Sequence, residues 1–149
     1  MTYHPLNVSS AESWESLLGS LKGNGNGKKQ VDILVNCAGI TQRSALMRTG
    51  VDEIQELVGT NLTGTVLGCK FVGRVMLKNP SRNVSRVRLE DGTTVVVERG
   101  VKGVNEKGVI VNVASLLAQK GVIGTSVYAA AKAGVVGKLL CTQRELTSN

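Results

Sequence analysis

Residues 31–40 read VDILVNCAGI, an apolar run that closes on Gly39 and Ile40. A continuous run of this kind is the pattern of a parallel strand buried on both faces. Residues 109–113, VIVNV, form a second such run and lead into Ser115. Between the two lies GVDEIQELVGTNLTGTVLGCKFVGRVMLK, residues 50–78. There Ile54, Val58, Leu62, Val66, Cys69, Gly73 and Met76 recur at a spacing of about 3.6, which predicts one long helix with that stripe inward. A further helix is expected over residues 126–146. Strand, helix, strand, helix gives an α/β fold built on a parallel sheet.

Outward from this frame the pattern is less regular. PLNV, residues 5–8, reads as the tail of a strand. A helix follows in SSAESWESLLGSL, with Ser9 or Ser10 as N-cap and with Trp14, Leu17, Leu18 and Leu21 on one face. KGNGNGKK, residues 22–29, alternates glycines before lysine. A phosphate cradle needs a strand before it and a helix after it, and here the order is reversed, so the stretch reads as a linker. Residues 79–108 interrupt the α/β pattern. Within them VRLEDGTTVVVE alternates around Asp91 and Gly92, the signature of a β-hairpin with a two-residue turn. This excursion is either a hairpin inserted into the domain or translated intron sequence; the remainder reads as one domain over residues 1–149.

The chain has 149 residues and a net charge of +7 at pH 7. A basic balance suits nucleic acid, anionic lipid, an acidic protein or a phosphorylated cofactor. The densest basic stretch, from Arg82 to Arg88, lacks interleaved aromatic residues, which argues against nucleic acid. Lys70, Arg74 and Lys78 recur every four residues on one helical face, either a solvated face or a contact for an acidic carrier protein. Cys37, Cys69 and Cys141 are far apart, without metal spacing, and read as free thiols in a reducing compartment. No metal site is expected. No run of 18 apolar residues suggests a membrane span, and no targeting segment is visible at the N-terminus.

The residues that carry chemistry gather at the strand ends, where open parallel sheets bind ligands. Asn36 and Gly39 close the first strand, and Ser115 follows the second. SVYAAAKAGV, residues 126–135, places Tyr128 and Lys132 one helical turn apart, so both project from one face. A free phenol titrates at about 10 and is a sluggish acid at neutral pH; a nearby ammonium favours its charged form. A serine hydroxyl beside them can hold a carbonyl oxygen as charge develops on it. Asn61, beside the apolar stripe of the long helix, needs either a task or a backbone partner, the latter at a helix irregularity.

Taken together these residues resemble the short-chain dehydrogenase/reductase family. NCAG, residues 36–39, is similar to the family's Asn-Asn-Ala-Gly strand end, with Cys37 in place of the second asparagine. TNLTG supplies Asn61, VNVAS supplies Ser115, and Tyr128 with Lys132 forms the family's Tyr-x-x-x-Lys, 13 residues beyond Ser115. LNVSSAESW resembles the segment after the third strand, with Asn7 in place of an aspartate that contacts adenine. Residues 79–108 stand outside the resemblance and account for a long interval between Asn61 and Ser115.

The resemblance implies a partial Rossmann-like, doubly wound parallel sheet with a hairpin insertion. It implies Asn61, Ser115, Tyr128 and Lys132 as catalytic residues. Asn7, Val8, Asn36, Ala38, Gly39, Tyr128 and Lys132 are the implied cofactor contacts, with Lys132 on the nicotinamide ribose and Asn61 holding a water that relays protons to it. NADP(H) is the implied cofactor, with NAD(H) the alternative. The closest subfamily likeness is to 3-oxoacyl-acyl-carrier-protein reductases, hence a small-molecule or carrier-bound carbonyl substrate, a homo-oligomer paired through the two long helices, and a cytoplasmic or mitochondrial setting. The family's glycine-rich phosphate turn belongs before Asn7 and is absent, which opens a second expectation: an inactive fragment or isoform acting through subunit contacts.

Overall fold

The computed structural model describes residues 2–21, 30–79, 85–88, 94–97 and 107–147, the two short segments and residues 138–147 by backbone alone. The glycine-rich stretch 22–29, read as a linker, lies outside the described residues. Helix α1 (Ala11–Leu21) precedes strand β1 (Ile33–Asn36); α2 (Val51–Val58) and α3 (Gly64–Met76) follow, joined by a π-turn over Gly59–Thr63. Strands β2 (Ser85–Arg88) and β3 (Thr94–Val97), strand β4 (Val109–Asn112) and helix α4 (Ser126–Thr147) complete the order. Among the described residues no helix is long and apolar enough to cross a membrane.

β1 and β4 pair in parallel, Ile33 opposite Val109 and Asn36 opposite Asn112. The expected parallel sheet is therefore present, and its strands are shorter than the apolar runs that announced them. The expectation that both faces are buried does not hold. Leu34, Asn36, Ile110 and Asn112 are half-buried on the side of α3, whereas the alternate residues are exposed. β2 and β3 pair antiparallel, with Arg86 opposite Val96 and Val87 opposite Val95. This register is symmetric about Asp91. The two-residue turn expected on Asp91 and Gly92 lies outside the described residues.

The core sits where α1 and α3 meet the covered face of the sheet. Trp14, Val72 and Met76 are buried together, with Leu6, Val8, Leu17, Leu18, Leu34 and Ile110 packed against them. Ser10 is the N-cap of α1, accepting the Ser13 N–H at 3.2 Å, and so satisfies one of the donors a helix start leaves open. Residues 5–8 form no strand, although Leu6 and Val8 pack on the core. Their chain is held instead by the Trp14 indole N–H, which donates to the Val8 carbonyl at 2.8 Å.

The long helix follows its predicted stripe in part: Cys69 and Met76 are buried, Ile54, Val58, Leu62 and Gly73 are half-buried, and Val66 is exposed. The buried line runs through Leu57, Asn61, Gly64, Thr65, Gly68, Val72 and Met76. Small residues lie on this line because neighbours approach closely. A Cβ on Gly68 would collide with Asn36 Oδ1 and stand 3.1 Å from the Trp14 ring. Leu62 turns to α4, where a Cβ on Gly134 would come within 3.0 Å of its methyl group.

Candidate active site

The carboxyl ends of β1 and β4 open towards α4 and the π-turn. At that turn Asn61 is fully buried. Its side-chain oxygen accepts the Ile40 N–H and its amide donates to the Ile40 carbonyl, both at 2.8 Å. The asparagine thus completes the backbone pairing of the loop after β1, as a strand neighbour would. The break in helix periodicity at the π-turn coincides with it, and such turns are frequent at functional sites.

Lys132 projects from α4 into the same region. It is 5% exposed, and its ammonium donates to the Val113 carbonyl at 2.8 Å. The Tyr128 ring centroid lies 5.9 Å from Lys132 Nζ, the two side chains sharing one face as the spacing predicts. A Cβ on Gly39 would stand 3.1 Å from Asn61 Oδ1 and 3.7 Å from Lys132 Nζ. Asn61 and Lys132 therefore face one spot beside Gly39, and the absence of a side chain at Gly39 keeps that spot clear.

Ser115 begins the short 3₁₀ turn Leu116–Ala118 and accepts the Leu117 N–H on its hydroxyl oxygen at 3.2 Å. Its O–H stays available to donate. This turn packs against α4, which sets Ser115 on the loop that faces the helix of Tyr128 and Lys132.

The remaining predicted cofactor residues gather nearby. A cleft of about 160 Å³ is lined by Val8, Leu34, Val35, Asn36, Ala38 and Thr60, among others. Asn36 presents little of its polarity to this cleft, because its amide donates to Asn112 Oδ1 at 2.7 Å across the strand pair. Asn7 turns its side-chain oxygen to the Ser9 N–H and hydroxyl, at 3.1 and 2.7 Å. A larger hollow of about 290 Å³, between Ile40, Thr41, Arg43, Glu53, Glu56 and Leu57, contains none of the predicted site residues. The expected residues Val8, Asn36 and Ala38 line the smaller cleft.

The Lys132 ammonium beside the bare backbone of Gly39 lets a polar group approach there, and Val8, Leu34 and Ala38 give the neighbouring cleft apolar walls. Two further features were not foreseen. The Val113 carbonyl anchors Lys132, and Gln42 is buried between the β1 loop and the start of α4. A buried glutamine in a loop carries no local pattern, and its α4 partner is 85 residues away, so only tertiary structure reveals it.

A family model described as short chain dehydrogenase matches residues 1–87 and 91–149. The 3-oxoacyl-[acyl-carrier-protein] reductase FabG of Vibrio cholerae is 35% identical over 143 residues, 96% of this chain and 47% of that protein. Carbonyl reductase family member 4 of Xenopus tropicalis is 33% identical over 112 residues, 75% of this chain and 36% of that protein. The FabG of Chlamydia pneumoniae is 37% identical over 107 residues, 72% of this chain and 33% of that protein. The chain spans less than half the length of these relatives.

Proposed function

The chain belongs to the short-chain dehydrogenase family, and from that premise we propose that it reduces a carbonyl to a hydroxyl with NADP(H), with NAD(H) as the alternative. The proposed substrate is a 3-oxoacyl thioester, free or on an acyl carrier. Two of the similar proteins above carry that activity in their names. The observation that carries the reading is the placement of Lys132, buried beside Gly39 and Asn61 with its ammonium close to the Tyr128 ring.

When bound, the nicotinamide supplies the hydride that goes to the carbonyl carbon. The Tyr128 hydroxyl gives its proton to the carbonyl oxygen, which completes the alcohol. The Ser115 O–H donates to the same oxygen and steadies the charge that develops there. Lys132, held by the Val113 carbonyl, offers its remaining protons to ribose hydroxyls and keeps positive charge near the phenol. Asn61 holds Ile40 in place, which fixes the backbone beside Gly39 where the cofactor passes; a water relay through Asn61 belongs to the same proposal. Val8, Asn36 and Ala38 would line the adenosine end. Asn7, with its side-chain oxygen on Ser9, would contribute its amide there. Pairing of copies through α2–α3 and α4 is part of the proposal.

A second reading, a chain without turnover that acts through subunit contacts, draws on the exposed apolar face of β1 and β4. The test that separates the two is NADPH oxidation with acetoacetyl thioester, followed at 340 nm, alongside calorimetric titration of NADPH. Thioester-dependent oxidation supports the reductase; absence of both binding and turnover removes it in favour of the second reading.

A further inference from the structure

The start of α4 raises a question of hydrogen bonding. A helix leaves its first four N–H groups without intrahelical acceptors, and the side chain just before the helix ordinarily takes one or two of them. Here that residue is Thr125. Its hydroxyl instead donates backwards to the Val122 carbonyl at 2.8 Å, while its backbone carbonyl takes the Ala129 N–H at 2.7 Å. The Val127 and Tyr128 N–H groups donate to Gln42 Oε1, at 2.9 and 3.4 Å. The cap of α4 comes from another part of the chain.

Gln42 is itself held firmly. It is 8% exposed, and its amide nitrogen donates to the Ser44 carbonyl at 2.7 Å and to Thr49 Oγ1 at 3.2 Å. These partners fix which end of the amide faces which way. Reversal would set an NH₂ group against two N–H donors and a carbonyl oxygen against the Ser44 carbonyl. Gln42 also lies three residues after Gly39 on the same loop. The loop that clears the space beside Lys132 and Asn61 therefore also holds the first turn of the helix that carries Tyr128 and Lys132. A neutral amide oxygen does this without adding a negative charge to the helix end beside the phenol.

We propose that Gln42 is a positioning residue: by capping α4 from the β1 loop it sets where Tyr128 and Lys132 stand relative to Gly39 and Ser115. The cap stands independently of function; its consequence for turnover rests on the reading of Tyr128 as proton donor. Amide hydrogen exchange on the full chain tests the cap. In the unmodified protein the Val127 and Tyr128 N–H groups exchange at least tenfold more slowly than in free peptide. In Gln42→Met, which keeps the shape and removes the acceptor, both speed up at least tenfold while Ala131 and Val135 keep their rates. Thr125→Val leaves the pair protected. Unprotected Val127 and Tyr128 in the unmodified protein, or exposure by Thr125→Val but not by Gln42→Met, overturns the cap, and the first of these results needs no variant to fold. With 3-oxoacyl thioester, Gln42→Met lowers kcat about tenfold with KM for the thioester unchanged. Faster exchange with unaltered kcat would leave the cap and refute the positioning role. If Tyr128→Phe leaves turnover intact, the proton-donor reading fails, a result distinct from the exchange measurement.

Discussion

The two faces of the β1–β4 pair are made of similar residues and have opposite surroundings. On one face Leu34 and Ile110 pack under α1 and α3 with Trp14, and Asn36 pairs with Asn112. On the other, Ile33, Val35, Val109 and Val111 are 64%, 55%, 42% and 44% exposed. Apolar, β-branched composition thus specifies the strands and their parallel pairing but not which face is covered. The cover comes from α3, whose small residues let the sheet approach. The covered face leads directly into the site, since the strand ends that α3 supports continue into Gly39 and into the Val113 carbonyl that holds Lys132.

Substitutions on the two faces should separate sharply. Trp14→Ala removes the largest member of the buried cluster and the bond to Val8, and is expected to cost about 3–5 kcal/mol, read as a lowered midpoint in urea unfolding. Gly68→Ala is expected to cost about 1–2 kcal/mol net, the collision with Asn36 outweighing the gain in helix propensity. It should also displace Asn36 from Asn112, visible as a shift of the Asn36 side-chain amide resonance. Val111→Thr on the open face keeps a β-branched shape and should change stability by no more than about 0.5 kcal/mol. If Val111→Thr destabilised the chain as much as Gly68→Ala, the distinction between the faces would be lost.

The parallel frame was legible because each strand is a compact apolar run and the stretch between the strands carries a helical repeat. Tyr128 and Lys132 were legible as a pair because one helical turn separates them. The inward line of the long helix was legible in part: Cys69 and Met76 are buried as expected, Val66 is not, and the contacts add Gly64, Thr65 and Gly68, which mark close approach rather than apolarity. Asn61 was legible as a buried polar residue, and its partner, the Ile40 backbone, emerges only from the folded loop. The hairpin strands were legible from alternation, and they pair antiparallel as that pattern predicts. Gln42 was invisible because a cap supplied across the fold leaves no trace in local spacing.

The central claim is that the phenol on α4 gives the proton that completes carbonyl reduction. It is tested most directly by the rate of NADPH oxidation with a 3-oxoacyl thioester in Tyr128→Phe, against the unmodified protein under the same conditions. Loss of the hydroxyl with retention of the ring is expected to lower kcat by about 10²-fold or more. A Tyr128→Phe protein that turns over at the unmodified rate would contradict the account.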